Sequence, residues 1–297
     1  MRERPKTVLV GLEIDRKEDA VILGSRQAAF QAAWLARASG ARLRFLHSTW
    51  DDRHAESVGL TEEHRATLED FVHEFRDEGI PAELVVSGAR AWIALIREAL
   101  AGRGDVLVVG KREREREEGR RLGSVGVKLQ RKSPVPVWVV RPEHDLVHRL
   151  VLAATDLSDV GQRAVEFAGF VAAQSEGCDL HVVHAYRLPA ELSVTELGEA
   201  AYAEAVEAFK RSLSTRIRSA LPSGAPEPQL HLRKGPPSRA ILEIAETMAP
   251  DLLCMGSLSR QEDPGMMVGA IAERVLERLA CSIWTAKPAE FVAPVRP

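Results

Sequence analysis

The chain has 297 residues, 45% of them apolar and 28% charged, with a formal charge of −3. That balance suits a globular protein long enough for two domains, each with its own core, and gives no electrostatic case for nucleic acid as a partner. Cys178, Cys254 and Cys281 form no CxxC pair, which predicts a reducing compartment without a disulfide framework or a metal site.

The opening MRERPKTVLVGL runs directly into a strand, so no signal peptide is expected. No apolar run approaches the roughly 18 residues of a spanning helix, and the expected location is the cytoplasm. Thr7 to Leu12 reads as a strand buried on both faces. A helix follows over Ser25 to Ser39, with Phe30, Ala33, Trp34 and Ala38 on its apolar side and Gly40 as a stop. Ala41 to Ser48 is a second strand. A helix from about Thr61 to Glu78 carries Leu68, Phe71, Val72 and Phe75 inward and ends at Gly79-Ile80-Pro81. Strands at Glu83 to Ser87 and Asp105 to Val109 flank a helix over Trp92 to Leu100.

After a polar linker the same order returns. Leu150 to Thr155 is a strand, Gln162 to Gln174 a helix with Val165, Ala168, Val171 and Ala172 inward, and Asp179 to Ala185 a strand. A long helix opens at the capping box Ser193-Val-Thr-Glu196, with Tyr202, Val206, Phe209, Leu213 and Ile217 as its stripe. Gln229 to Arg233, the helix Arg239 to Met248 and Asp251 to Met255 complete the unit. Pro236-Pro237-Ser238 reads as a turn with Ser238 capping the helix. The expected division is residues 1–142, a linker 143–149, and residues 150–297 including a proline-containing tail.

One stretch is written twice. GKREREREEGRRLGSVGVKLQRKSPVPVWVVR, from Gly110, aligns without a gap on GSLSRQEDPGMMVGAIAERVLERLACSIWTAK, from Gly256. Gly123 falls on Gly269, and Trp138 on Trp284, each 146 residues on. Each copy is a strand end, a glycine, a loop, a second glycine, a short helix and a final strand. A glycine at a strand end and another opening a helix can receive an anion, because the backbone comes close and the helix's first N–H groups point at it. Strands alternating with helices imply parallel sheets covered on both faces, with ligands at the carboxyl ends of the strands where their order reverses.

These features together resemble the universal stress protein family, and the whole chain resembles its tandem, E-type members. The resemblance rests on TDLS at Thr155 to Ser158, on His47 and His184 at strand ends, and on the two DxLxxG strands (Asp105 to Gly110, Asp251 to Gly256). It rests also on the doubled glycine block and on AKPAEFVAPV, Ala286 to Val295. It implies two tandem Rossmann-like α/β domains, each a five-stranded, mainly parallel sheet with helices on both faces. It further implies that the halves pair through their last strands, Val135 to Val140 and Ser282 to Thr285, as an internal pseudo-dimer, removing exposed edges. A homodimer of the whole chain is a further expectation.

Nucleotide-binding members of the family carry G-x2-G-x9-G-(S/T), in which the hydroxyl caps the helix and donates to phosphate. Here Gly110, Gly123 and Ser124 match in the first half, but Glu113 replaces the second glycine and would repel a triphosphate. In the second half Gly256 and Gly269 match, Ser259 replaces the second glycine, and Ala270 replaces the hydroxyl residue. The adenine-side aspartate is Asp156 in the second half and Glu13 in the first. Neither copy is complete, and the second is the better site. The resemblance implies adenine nucleotide, ATP foremost, or another small ligand held by Thr155, Asp156, Ala185, Met255, Gly256, Ser257, Ser259, Gly269 and Ala270. In that arrangement Asp156 and the backbone near Ala185 hold the adenosine, and the residues from Gly256 onward face the phosphates. The alternative for Gly123 and Gly269 is that they only make tight turns.

The run Lys111 to Arg121 is charged at every position but Gly119 and reads as a solvated loop with internal charge pairing. His181 and His184 are i and i+3 on a strand and so face opposite sides, which argues against a shared metal. Cys254 reads as core, and Trp138 and Trp284 as interface or core aromatics. There is no GxxxxGK[ST], GxSxG or HExxH, and no catalytic residue is assigned. The resemblance implies non-catalytic ligand binding in a stress response. The rival readings are a nucleotide-free scaffold, or one holding a lipid-like ligand, and a slow ATPase.

Overall fold

The computed structural model describes residues 4–111, 123–141, 148–190, 192, 198–257, 269–279 and 281–296. The charged run after Lys111 and the capping box at Ser193 lie outside these residues. In the first repeat β1 (Thr7–Leu12) leads through a small hairpin, β2 (Ile14–Asp15) and β3 (Ala20–Val21), into α1 (Leu23–Ser39) and β4 (Arg42–Ser48). A second hairpin, β5 (Trp50–Asp51) and β6 (Glu56–Ser57), precedes α2 (Glu62–Asp77), β7 (Ala82–Ser87) and α3 (Ala91–Leu100). Then come β8 (Val106–Gly110), α4 (Ser124–Lys132) and β9 (Val137–Val140). Neither hairpin was expected from the sequence, since two-residue strands carry too little pattern to read.

The second repeat comprises β10 (Leu150–Ala154), α5 (Asp159–Ala173), β11 (Asp179–Tyr186), α6 (Glu199–Arg218) and β12 (Gln229–Lys234). It continues with α7 (Pro237–Met248), β13 (Leu252–Gly256), α8 (Ala270–Arg278) and β14 (Ser282–Ala286). The chain gathers into two compact units, one from His148 to Leu279, the other joining the N-terminal half to the segment after Leu279. The last strand therefore groups with the first repeat's strands.

In the N-terminal unit the order is β14-β9-β8-β1-β4-β7. β9, β8, β1, β4 and β7 are parallel, and β14 lies antiparallel on β9. That ladder sets Trp138 opposite Trp284, Val139 opposite Ile283 and Val137 opposite Thr285. Trp138 thus faces its own counterpart in the repeat. Both indoles are buried, and Trp34 meets Trp138 edge-on at 6.3 Å. In the C-terminal unit β12-β11-β10-β13 are all parallel.

The apolar runs explain the sheets. β8 and β13 are buried from Val106 to Val109 and from Leu252 to Met255, as strands covered on both faces must be. Leu9, Leu46, Leu95, Leu107, Val109 and Val139 form one core cluster, with Trp92, Val125 and the tail residues Ala293 and Val295 against it. Phe45, next to Leu46 on β4, points to the opposite face and meets Phe75 at 5.2 Å and Phe71 at 6.3 Å.

One device occurs in both repeats. The Asp105 carboxylate accepts the N–H groups of Lys6 and Thr7 at 2.8 and 2.9 Å. Asp251, its counterpart, accepts those of Arg149 and Leu150 at 2.7 and 2.9 Å. The aspartate of DxLxxG therefore clamps the start of the neighbouring strand. Caps follow local chemistry: Thr61 and Ser158 each accept an N–H three residues on. At α7 the expectation fails. Pro236 is the N-cap and Pro237 the first helical residue, so Ser238 does not cap. Proline's fixed φ and missing N–H suit that first position.

Candidate functional site

In the C-terminal unit the strand order reverses beside β10, with β11 on one side and β13 on the other. A cleft opens at the carboxyl ends of these strands. It is lined by Ala154, Thr155 and Asp156 after β10, Val183 and Ala185 of β11, and Met255, Gly256 and Ser257 after β13. Gly161 of α5, Pro237 and Ile241 of α7, and Gly269, Ile271 and Ala272 at the start of α8 complete the wall. About 80 Å³ of it is open to the centre of a water molecule, several times what a single bound water needs. Among the described residues the lining is mostly apolar, with polar side chains at Thr155, Asp156 and Ser257.

The turn after β10 is tightly organised. Thr155 Oγ1 accepts the Leu157 N–H at 3.0 Å, and the Asp156 carboxylate accepts the Ser158 N–H at 2.9 Å as well as the Ser158 hydroxyl. Ser158 Oγ in turn accepts the Gly161 N–H at 3.1 Å and so opens α5. Leu157 is buried and held at φ 62°, a left-handed conformation that costs a branched residue about 1–2 kcal/mol. Buried His184 places Nδ1 2.8 Å from the Thr155 carbonyl. Burial lowers its pKa, so the ring stays neutral and donates from Nδ1. His47 does the same for Leu12 in the first repeat, at 3.2 Å. These histidines fix the end of the first strand of each repeat.

Across the cleft stands the start of α8. Gly269 is its N-cap, with no side chain to bond the first turn. The Gly269 N–H donates to the Ser257 carbonyl at 2.8 Å, which ties the end of β13 to the helix. Ser257 is 2% exposed, and its hydroxyl has no hydrogen-bond partner among the described residues. Ala270 is exposed and does not line the cleft, and Ser259 lies outside the described residues.

The first repeat is built differently at the same place. A β-carbon added to Gly110 would overlap the carbonyl of Gly24, and one added to Gly24 would overlap the carbonyl of Lys111. The backbone at the start of α1 thus lies directly on the end of β8, where its counterpart β13 borders the cleft. Ser25, third in α1, accepts the Glu13 N–H at 2.9 Å. The third residue of α5 is Gly161, where a β-carbon would stand 2.7 Å from Asp156 Oδ1 and 2.8 Å from Thr155 Oγ1. Gly110 therefore serves close backbone packing. Gly123 caps α4 at φ −64° with nothing within 4 Å of an added β-carbon, and Ser124 is the exposed first helical residue. The expectation that this hydroxyl caps the helix is corrected, because the cap position is one residue earlier. Gly123 and Gly269, at φ −64° and −71°, do not need glycine for their turns.

The structure thus brings Thr155, Asp156, Ala185, Met255, Gly256, Ser257 and Gly269 around one cleft. Sequence reasoning missed Gly161, Pro237, Ile241 and the start of α8 beyond Ala270. The available signal for Gly161 was a glycine directly after the TDLS turn, in the first turn of the following helix. It also missed the partner of His181, which is His231 on β12, with Nδ1 and Nε2 2.9 Å apart. Among the described residues no group of three or more His, Cys, Asp or Glu could hold a metal ion, and no helix is long and apolar enough to cross a membrane.

Comparison with known proteins extends this picture. The model of the universal stress protein family matches residues 22–141 and again 148–287. Universal stress protein E of Escherichia coli K12 is 24% identical over 256 residues, covering 82% of this chain and 80% of that protein. A universal stress protein of Thermus aquaticus is 30% identical over 136 residues, 46% of this chain and 96% of its own length. Among solved structures, a protein of unknown function from Pseudomonas aeruginosa PAO1 superposes with a TM-score of 0.72 at 22% identity, covering 96% of this chain and 93% of its own. A universal stress protein from Archaeoglobus fulgidus gives 0.66 at 20% identity, covering 95% and 98%. With two family matches over most of its length and the Rossmann-like α/β fold in both repeats, the chain belongs to the universal stress protein family as a tandem member.

Proposed function

We propose that this protein binds an adenine nucleotide, ATP foremost, without turning it over, and does so in the cleft of the C-terminal unit. The observation that supports this most is the convergence of Thr155, Asp156, Ala185, Met255, Gly256, Ser257 and Gly269 around one cavity at the strand ends. Asp156 and the backbone at Ala185 take the adenosine. Gly256, Ser257 and Gly269 take the phosphates, where the opening N–H groups of α8 favour an anion. The first repeat, with Gly110, Gly123 and Ser124, is the poorer site, because Gly24 lies on Gly110 and Glu113 stands at the second glycine. The protein acts in a cytoplasmic stress response as a ligand-binding component.

A second reading has an observation of its own. The walls supplied by Val183, Pro237, Ile241, Met255 and Ile271 are apolar, which suits a lipid-like ligand at least as well as a polar one. One experiment separates the two. The purified protein is denatured and the supernatant run on an anion-exchange column. Adenylate released at close to one equivalent per chain is the expected result. An organic extract containing a lipid, with no adenylate on the column and none bound on addition, would replace the first reading by the second.

A further inference from the structure

We infer that His181 and His231 form a binding site for a divalent transition-metal ion of square or octahedral preference, Cu(II) or Ni(II), at the edge of the C-terminal unit. The site lies apart from the strand-end cleft, and the inference holds whatever the cleft binds. β11 and β12 run parallel, with Val183 opposite His231. Side chains two residues apart share a strand face, so His181, Val183 and His231 point the same way. The two rings meet there. His181 Nδ1 stands 2.9 Å from His231 Nε2, with the ring centroids 5.2 Å apart and the planes 13° from parallel. That centroid separation is the N···N distance plus one ring radius at each end, so the rings lie end to end and share one N–H.

A metal ion binds imidazole nitrogen at about 2.0–2.1 Å, and two such bonds at a right angle set their nitrogens about 2.9 Å apart. The strands already hold the two nitrogens at that spacing. A turn of each ring about its side-chain bonds aims both lone pairs at one point. The shared hydrogen passes to the outer nitrogen of its own ring, so each imidazole enters as a neutral ligand. Burial lowers the pKa of both rings and keeps protons from competing at neutral pH. The charges acting on the pair, Asp179 on His181 and Arg233 on His231, are of opposite sign. Half-buried His231 lies on the unit's edge strand, where water completes the coordination. The first repeat fills the same place with other chemistry. Arg44, three residues before His47 as His181 is before His184, pairs with Glu83 on the next strand and with Glu98 of α3, whose counterpart 146 residues on is Ile244. An ion cluster holds those strands, so the fold itself does not call for a histidine pair.

The test uses the full chain without an affinity tag, as wild type, His181→Phe, His231→Gln and, as a control on exposed histidines, His54→Gln/His73→Gln. Cu(II) and Ni(II) are titrated by calorimetry near neutral pH, with melts of the metal-free proteins to confirm folding. Pulsed electron paramagnetic resonance of the Cu(II) form counts the coordinated imidazoles. The expected result is one ion per chain held by two imidazole nitrogens, with affinity down by about tenfold or more in His181→Phe and His231→Gln. The control pair should bind as the wild type does. His231 is half-buried on an edge strand, so His231→Gln and the wild-type spectrum decide the matter even where His181→Phe does not fold. Equal affinity in wild type and folded His231→Gln would overturn the inference. So would a wild-type spectrum with a single imidazole, or binding lost in the control pair instead. None of these outcomes bears on the adenylate reading, which rests on other residues.

Discussion

Gly161 shows how a single missing carbon shapes the cleft. Its backbone passes so near Thr155 and Asp156 that a β-carbon would stand 2.7 Å from a carboxylate oxygen and 2.8 Å from a hydroxyl. Alanine is otherwise a better helix former than glycine, by about 1 kcal/mol. Gly161→Ala is therefore expected to change thermal stability little while displacing Asp156, with adenylate affinity down by about tenfold, or ~1.4 kcal/mol. Titration calorimetry beside a thermal melt checks this, and unchanged affinity would count against ligand contact at Asp156.

Lys287 is the other residue whose role is set by its surroundings. It is 1% exposed, donates to the Gln130 carbonyl beside the hydroxyl of Thr285, and has the Phe291 ring 5.1 Å from its nitrogen. Burial pushes its pKa down from 10.5 to about 7. The sign follows directly: between about 7 and 10.5 the unfolded chain holds a proton that the folded chain does not. Stability of the N-terminal unit should thus rise with pH across that window, by at most ~1.4 kcal/mol per unit. Lys287→Met should flatten the slope between pH 7 and 9 and stabilise the unit at pH 6. A slope that survives the substitution would assign it to other groups.

At the scale of elements, the two aspartate clamps hold strand starts as the caps hold helix starts. Each carboxylate gathers two N–H groups where its strand neighbour begins, a job no residue within that neighbour could do for itself. Asp251→Ala leaves the donors of Arg149 and Leu150 without this acceptor and should cost about 1–3 kcal/mol in chemical denaturation. Asp105→Ala should cost the other unit a similar amount. A loss below about 0.5 kcal/mol in both would mean that water replaces the carboxylate freely. Most of the elements were legible from pattern: α2 carries Leu68, Phe71, Val72 and Phe75 inward, and α5 carries Val165, Ala168, Val171 and Ala172. The hairpins at Ile14–Val21 and Trp50–Ser57 were not, because their hydrogen bonds join pairs of residues with no periodicity to read. The start of α7 was misread because both a proline and a serine there can open a helix.

For the whole molecule, acid should act unevenly. Burial lowers the pKa of His181, His184 and His231 in one compact unit and of His47 in the other. A histidine held neutral contributes its stability above about pH 6.5 and loses it as pH falls through the lowered folded value. The unit from His148 to Leu279 should therefore weaken first below pH 6.5. The aromatics make this measurable. Both tyrosines, Tyr186 and Tyr202, lie in that unit, and all five tryptophans lie outside it. Tyrosine signals should change at a higher pH than tryptophan fluorescence, and coincident transitions would contradict the division of labour among the histidines. Much of this architecture was already in the amino-acid order. A repeat at a constant spacing of 146 residues, strand runs buried on both faces and glycines at strand ends determined a doubled α/β chain and the end of the sheet where a ligand would sit. Those signals are local or periodic, and a single chain displays them. How the two copies differ at their strand ends was visible only in three dimensions. It turns on Gly24 lying against Gly110, on Ser25 standing where α5 has Gly161, and on where the hydroxyl of Ser257 is buried. Contacts between residues so far apart along the chain leave no pattern in the sequence, because what matters there is the space that one backbone leaves to another.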